Sequence, residues 1–96
     1  MSLEQIVSKY IASAKQVVDA LGLARMPMIV ESRKVEEVVQ WARAYLEDAK
    51  YYSEKEKFEI SLTSVAYCEG LLEALKLLGA VNFEWPTKPK EPRKEK

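Results

Sequence analysis

The spacing of apolar residues is the feature that most limits the folds open to this chain. From residue 3 to residue 21 they recur at i, i+3, i+4 and i+7, which places them on one face of an α-helix. Ser2 precedes this segment as a candidate N-cap, and Gly22 follows it as a helix stop. We therefore predict a first helix over residues 3–21. Its apolar stripe consists of Leu3, Ile6, Val7, Tyr10, Ile11, Ala14, Val17, Val18 and Leu21.

Two further segments carry helical spacing, and no segment shows the period of two that is typical of a strand. We predict a second helix over about residues 29–54, with Pro27 just before it as a candidate for its first turn, and a third over residues 56–78, ended by Gly79. Short connections make sequential helices neighbours. The sequence therefore predicts an all-α fold, an antiparallel three-helix bundle with a short C-terminal cap.

The length of 96 residues is enough for one small domain. We assign residues 1–86 to that domain and residues 87–96 to a flexible tail rich in Lys and Pro. Phe83 and Trp85 precede the tail, and two aromatic rings are costly to leave in water. We expect them to fold back over an end of the bundle.

Charge is distributed unevenly although the formal net charge is zero. Residues 1–86 carry ten Lys and Arg against thirteen Asp and Glu, whereas the last ten residues carry five against two. An acidic body argues against a nucleic-acid-binding face, because phosphate contacts need clustered cations on the fold. Contact with nucleic acid through the tail is a weaker alternative, which would use Lys88, Lys90, Arg93, Lys94 and Lys96.

Cysteine usage and hydropathy predict a cytoplasmic protein. Cys68 is the only cysteine, so no intrachain disulfide forms, and a reducing compartment fits. No stretch of about eighteen apolar residues predicts a membrane span. The N-terminus is amphipathic from its start and does not resemble a signal peptide.

Catalysis is disfavoured by the residue types present. The chain has no histidine, so the most common general base is missing. Cys68 lies on an apolar helix face and has no histidine partner. No glycine-rich phosphate loop and no CxxC pair occurs. We predict that the protein is not an enzyme and uses no cofactor or metal.

The stretch AYCEGLLEALKLLG, residues 66–79, departs from a simple amphipathic helix. Its apolar face turns relative to the first half of the third helix, which is typical of a steep helix crossing or of contact with a second subunit. Glu69 and Glu73 supply two carboxylates, fewer than the three or four donors a metal needs. We interpret them as polar cover, with Glu73 paired to Lys76.

Folding the second and third helices about Lys55 gives their register. It places Tyr45 near Ala66 and Trp41 near Gly70. A helical glycine costs about 0.5–1 kcal/mol relative to alanine, and space for a large neighbour is the usual compensation. We interpret Gly70 as clearance for Trp41.

Asp48 is the most interesting acid in the sequence because aromatic residues flank it. Trp41, Tyr45 and Tyr52 carry polar groups that can satisfy a half-buried carboxylate. We predict a structural hydrogen-bonding role for Asp48. Ligand recognition is the alternative.

The stretch ARAYLEDAKYYSEKEKFEISLTSVAYCEGLLEAL resembles an archaeal helical family known as domain of unknown function 357. That family's pattern is approximately Y-x-x-D-A, an aromatic pair, a short gap, and Y-A-H-G-x-L-D-A-G. Glu69 stands where the family often has His, Glu73 where it has Asp, and Leu75 where it has its last Gly. The resemblance implies a small cytoplasmic helical protein without an established activity, and no histidine-dependent role carries over. The matching residues are Tyr45, Asp48, Ala49, Tyr51, Tyr52, Tyr67, Gly70, Leu72 and Ala74.

The leading functional prediction is a non-catalytic helical interaction or docking module. It would bind a partner protein or itself as a homodimer, because Trp41, Tyr51 and Trp85 add more aromatic surface than a short bundle hides. The alternative is an accessory domain that binds a small ligand or nucleotide near Tyr45, Asp48, Tyr67 and Gly70. The candidate contact residues are Trp41, Tyr45, Asp48, Tyr52, Tyr67, Glu69, Gly70 and Glu73, and the structural glycines are Gly22, Gly70 and Gly79.

Overall fold

The computed structural model describes residues 2–24 and 27–86, which form three helices. Helix α1 spans Leu3–Ala20, α2 spans Ser32–Glu54 and α3 spans Phe58–Leu77. No strand occurs in these two ranges. The prediction of an all-α chain with three helices is confirmed. The tail, residues 87–96, lies outside the described residues, so its predicted flexibility and its weaker role in binding nucleic acid stay predictions.

Helix α1 begins at the predicted cap. The Ser2 side chain accepts a hydrogen bond from the Gln5 backbone N–H at 3.1 Å, and the Gln5 side chain accepts one from the Ser2 backbone N–H at 2.9 Å. This reciprocal capping box satisfies two donors that a helix start leaves open. At the other end the chain leaves the helix at Leu21 in an extended conformation. Gly22 therefore does not supply a left-handed helix stop.

Helix α2 begins three residues later than predicted. Pro27 lies in a bend, and the helix starts at Ser32 after Glu31. The placement of Pro27 in the first turn was therefore wrong. Ile29 and Val30 are β-branched and disfavour helix, and Ile29 is 92% exposed, so no packing offsets that preference.

Helices α2 and α3 form an antiparallel hairpin with a small core. Its buried residues are small or medium in size, which lets the two backbones approach closely. The Ser61 hydroxyl donates a hydrogen bond to the Ala49 carbonyl at 2.7 Å and fixes the register. The predicted register is confirmed to within one residue, because Tyr45 lies against Tyr67 instead of Ala66. The buried core residues are Ala42, Ala49, Cys68 and Leu75.

Both hairpin helices end in the same way, with a left-handed residue. Glu56 has φ 62° after α2, and Gly79 has φ 78° after α3. At the first turn the N–H groups of Lys57 and Glu56 donate to the carbonyls of Tyr52 and Ser53 at 2.8 and 3.0 Å. This is the Schellman pattern, which satisfies carbonyls that a helix end leaves open.

The segment after α3 folds back along that helix, as predicted. The Trp85 indole N–H donates to a Glu73 carboxylate oxygen at 2.9 Å. The Phe83 and Trp85 rings meet edge to face, with centroids 4.8 Å apart. The segment therefore covers the C-terminal half of α3.

Helix α1 is not packed on the hairpin. It contains no buried residue, and all close approaches between helices in residues 2–24 and 27–86 join α2 to α3. Its apolar stripe faces solvent, with Tyr10 63% and Val18 68% exposed. One copy of the chain therefore supplies three helices but packs only two of them together. No helix of the described residues is long and apolar enough to cross a membrane.

Candidate functional site

One concave surface between the two hairpin helices is an apolar depression that we call the aromatic groove. It has a volume of about 290 Å³ and opens between α2 and α3. None of its lining residues is charged, so an apolar or planar group fits it best. The groove is lined by Val38, Trp41, Tyr45, Tyr67 and Leu71.

Three aromatic rings follow one another in this groove. Tyr45 and Tyr67 are stacked, with centroids 4.2 Å apart and planes 9° apart. Trp41 lies one turn along α2, with its centroid 6.4 Å from that of Tyr45. Desolvation, and next the neighbouring Tyr67, raise the pKa of Tyr45 above its usual range. The Tyr45 phenol therefore keeps its proton at physiological pH, and the stacked pair joins the two helices through ring contact.

A second depression, the aliphatic groove, opens on the other side of the hairpin with a volume of about 230 Å³. Cys68 is buried beside it, and burial, followed by the charge of Glu69, raises the pKa of its thiol. A protonated buried thiol is a poor nucleophile. The groove is lined by Val39, Ala42, Arg43, Leu46, Cys68 and Leu72.

Asp48 does not have the predicted half-buried environment. Its side chain is exposed and makes no hydrogen bond within the part of the chain that the structure describes. Its position on α2 lies beyond Tyr45 on the side away from α3, where water solvates the carboxylate. Tyr52 is half-buried, and its ring meets Tyr51 edge to face at 5.2 Å. The structure thus gives Asp48 no structural hydrogen bond.

The interpretation of Gly70 as clearance for Trp41 was wrong. A Cβ atom built on Gly70 would meet no atom within 4 Å among the described residues. Trp41 instead extends toward the groove formed with Tyr45, and it is 62% exposed. Space at Gly70 is therefore not needed for the packing of the hairpin.

Glu69 and Glu73 lie on the other side of α3 from Tyr67 at 100° per residue. The predicted pairing of Glu73 with Lys76 was wrong, because Glu73 accepts from Trp85 and Lys76 lies 3.7 Å from Glu84. Glu69 is half-buried. No cluster of three metal-ligating side chains occurs in residues 2–24 and 27–86.

The family model described as "Protein of unknown function (DUF357)" matches residues 9–81. The chain belongs to the DUF357 family. No curated protein and no solved structure matches it. The DUF357 match begins within α1 and ends after α3, so it includes residues 9–20 of the helix that stands apart as well as the whole hairpin.

The DUF357 motif residues divide into distinct positions on the hairpin. Tyr45 and Tyr67 meet in the aromatic groove, and Ala49 accepts the hydrogen bond from Ser61. Asp48 and Gly70 are exposed. Tyr45, Tyr67 and Ala49 therefore have a packing role within one copy. Asp48 and Gly70 have no such packing role there.

Sequence reasoning missed part of the site. Val38 and Leu71 line the aromatic groove, and neither is among the predicted contact residues. Trp85 was expected to cover an end of the bundle, but its bond to Glu73 was not foreseen. The contact between Trp85 and Glu73, twelve residues earlier, cannot be inferred from the local sequence. Whether the two side chains meet depends on the turn at Gly79.

Proposed function

We propose that this chain is a non-catalytic helical interaction module that presents apolar surface to another protein or to a second copy of itself. The observation that carries the proposal is the balance of buried and exposed side chains. Four residues of the described ranges form the buried apolar core, whereas twenty-one large apolar side chains are exposed. Exposed apolar area on this scale is typical of protein–protein contact sites.

The exposed apolar residues are arranged on continuous surfaces. One is the stripe along α1, and another is the aromatic groove with the exposed ring of Trp41. A helix in a groove is a common mode of protein recognition, in which residues at i, i+3, i+4 and i+7 fill the groove. The α1 stripe has this spacing, and the hairpin provides a groove.

The absence of histidine from the sequence and the raised pKa of the buried Cys68 thiol favour a role without catalysis. The single cysteine also favours a reducing cytoplasm as the location. Binding, in contrast, requires only surface of suitable shape and polarity.

Light scattering combined with binding of a dye specific for exposed apolar surface tests the proposal. We expect the protein either to self-associate or, as a monomer, to bind the dye. Tyr10→Glu places a charge on the α1 stripe and should reduce self-association or dye binding, whichever the wild type shows. Ala12→Glu places the same charge on the opposite side of α1 and should leave it unchanged. A protein that is strictly monomeric at high concentration and binds no dye would contradict the proposal.

A second candidate function is binding of a small planar ligand, such as a nucleobase, in the aromatic groove. The stacked pair of Tyr45 and Tyr67 favours it, because planar ligands stack on exposed aromatic rings. A thermal-shift series with nucleotides should then raise the melting temperature of the wild type. Tyr67→Leu should abolish the shift, and Tyr51→Leu, outside the groove, should retain it. Absence of any shift would count against this function.

A further inference from the structure

A single copy of the chain exposes more surface than a compact domain of its mass. Its accessible surface is 8944 Å². A compact monomer of this mass exposes about 5,600 Å², so the excess is about 3,300 Å². A stable dimer interface needs only about 800 Å² per partner, roughly a quarter of that excess. The excess is therefore larger than the surface that one partner buries in a stable dimer.

The length of α1 matches the hairpin that it does not contact. Its 18 residues extend over about 27 Å, and the 20 residues of α3 extend over about 30 Å. The α1 stripe runs from Leu3 to Val18 without a charged residue, and the aromatic groove also has none. A helix of this length can cover the groove and extend along the neighbouring surface of both hairpin helices.

The aromatic groove is the more suitable of the two grooves. The aliphatic groove includes Arg43, whose charge is costly to bury without a partner. The segment after α3 lies along Glu73 and Lys76, on the side of α3 opposite Tyr67 at 100° per residue. That segment therefore leaves the aromatic groove open.

We propose that α1 of one copy packs in the aromatic groove of a second copy, and that the second copy returns the same contact. The dimer has twofold symmetry and two identical contacts between α1 and the groove. This inference rests on the proposed function and names its partner as a second copy of the chain. Within one copy, no third helix packs on the hairpin. In the dimer, α1 of the other copy takes that place, and we call this arrangement the exchange.

Complementation between two variants tests the exchange. Tyr10→Glu places a carboxylate on the α1 stripe, and Trp41→Glu places one in the groove. Each variant alone carries a defect in both contacts of its homodimer, and we expect its self-association to weaken at least about 100-fold. In an equimolar mixture, one heterodimer contact joins the normal α1 of one variant to the normal groove of the other. The mixture should therefore form dimers that neither variant forms alone.

Ala12→Glu and Ala44→Glu serve as matched controls, because Ala12 lies on the side of α1 opposite the stripe and Ala44 does not line the groove. Both should associate as the wild type does. Tyr10 packs on no other helix, so circular dichroism should show unchanged helix content in Tyr10→Glu.

Three outcomes are distinguishable by sedimentation equilibrium. Dimers in the wild type and in the mixture, but not in the separate variants, support the exchange. A wild-type dimer without complementation overturns the exchange but leaves the interaction module standing, because the copies then associate through another surface. A strictly monomeric wild type also overturns the exchange, and the proposed function then depends on the dye-binding result.

Discussion

Tyr45 and Tyr67 stack with ring centroids 4.2 Å apart and planes 9° apart, and this contact joins α2 to α3 at the floor of the aromatic groove. The two rings contribute to the stability of the hairpin and at the same time form the surface that a partner or a ligand would meet. Because the same two rings have both roles, their effect on the stability of the hairpin has to be measured separately from their effect on binding.

The first prediction concerns the dependence of stability on pH. Desolvation and the neighbouring Tyr67 raise the folded-state pKa of Tyr45 above the usual value of about 10. The folded state therefore binds this proton more tightly than the unfolded state does. Its contribution to stability is complete below about pH 10 and is lost as the pH rises through the folded-state pKa.

Urea unfolding at a series of alkaline pH values measures this effect. In Tyr45→Phe the free energy of unfolding should decrease less steeply above about pH 10 than in the wild type. Tyr51→Phe removes a phenol from α2 outside the aromatic groove and should retain the wild-type slope. Equal slopes in the wild type and Tyr45→Phe would contradict the prediction.

The second prediction concerns the hydrogen bond that fixes the register of the hairpin. Ser61→Ala removes the donor to the Ala49 carbonyl and should lower the free energy of unfolding by about 1 kcal/mol. Thr63→Ala removes a hydroxyl that bonds only within α3, to the Glu59 carbonyl, and should change stability by less than about 0.5 kcal/mol. Protein concentration has to be constant across the series, because self-association would raise apparent stability. Similar losses in the two variants would show that Ser61 does not link the helices.

The helices and the hairpin register could be predicted from the sequence because both depend on local information. Apolar spacing marks the helical faces, Ser2 is a recognisable N-cap, and a short turn makes α2 and α3 antiparallel neighbours. The level at which Tyr45 meets α3 followed to within one residue from folding the chain about Lys55, but its stacking on Tyr67 did not.

The position of α1 and the environment of Glu73 could not be predicted in this way. The apolar stripe of α1 requires a partner surface but does not specify whether that surface belongs to the same copy. Glu73 meets Trp85 only because the chain reverses at Gly79, and Asp48 is exposed because its neighbours turn toward the groove. Such contacts depend on tertiary geometry, which residue spacing does not contain.

The third prediction follows from the open space at Gly70. Gly70→Ala should raise the free energy of unfolding by about 0.5–1 kcal/mol, because alanine favours the helix and its Cβ meets no atom within 4 Å. Thermal and urea unfolding of the wild type and of Gly70→Ala show whether the free energy of unfolding rises. A destabilised Gly70→Ala would indicate that a neighbouring copy or another ligand approaches this backbone closely.

The fourth prediction concerns the two left-handed residues that end α2 and α3. Glu56 has φ 62°, a conformation that costs a residue with a Cβ atom about 1–2 kcal/mol. Glu56→Gly removes that cost but adds freedom to the unfolded chain, so the free energy of unfolding should rise by about 1 kcal/mol.

Gly79→Ala makes the reverse change at the matching position of α3, where φ is 78°. It should lower the free energy of unfolding by about 1 kcal/mol, because alanine resists the left-handed conformation. It should also loosen the return of Trp85 to Glu73, since that bond lies beyond the turn. Urea unfolding gives the change in the free energy of unfolding for each of the two variants. Amide hydrogen exchange over residues 80–86 shows how firmly this segment folds back on α3. Changes of the same sign in both variants would be inconsistent with a shared left-handed turn.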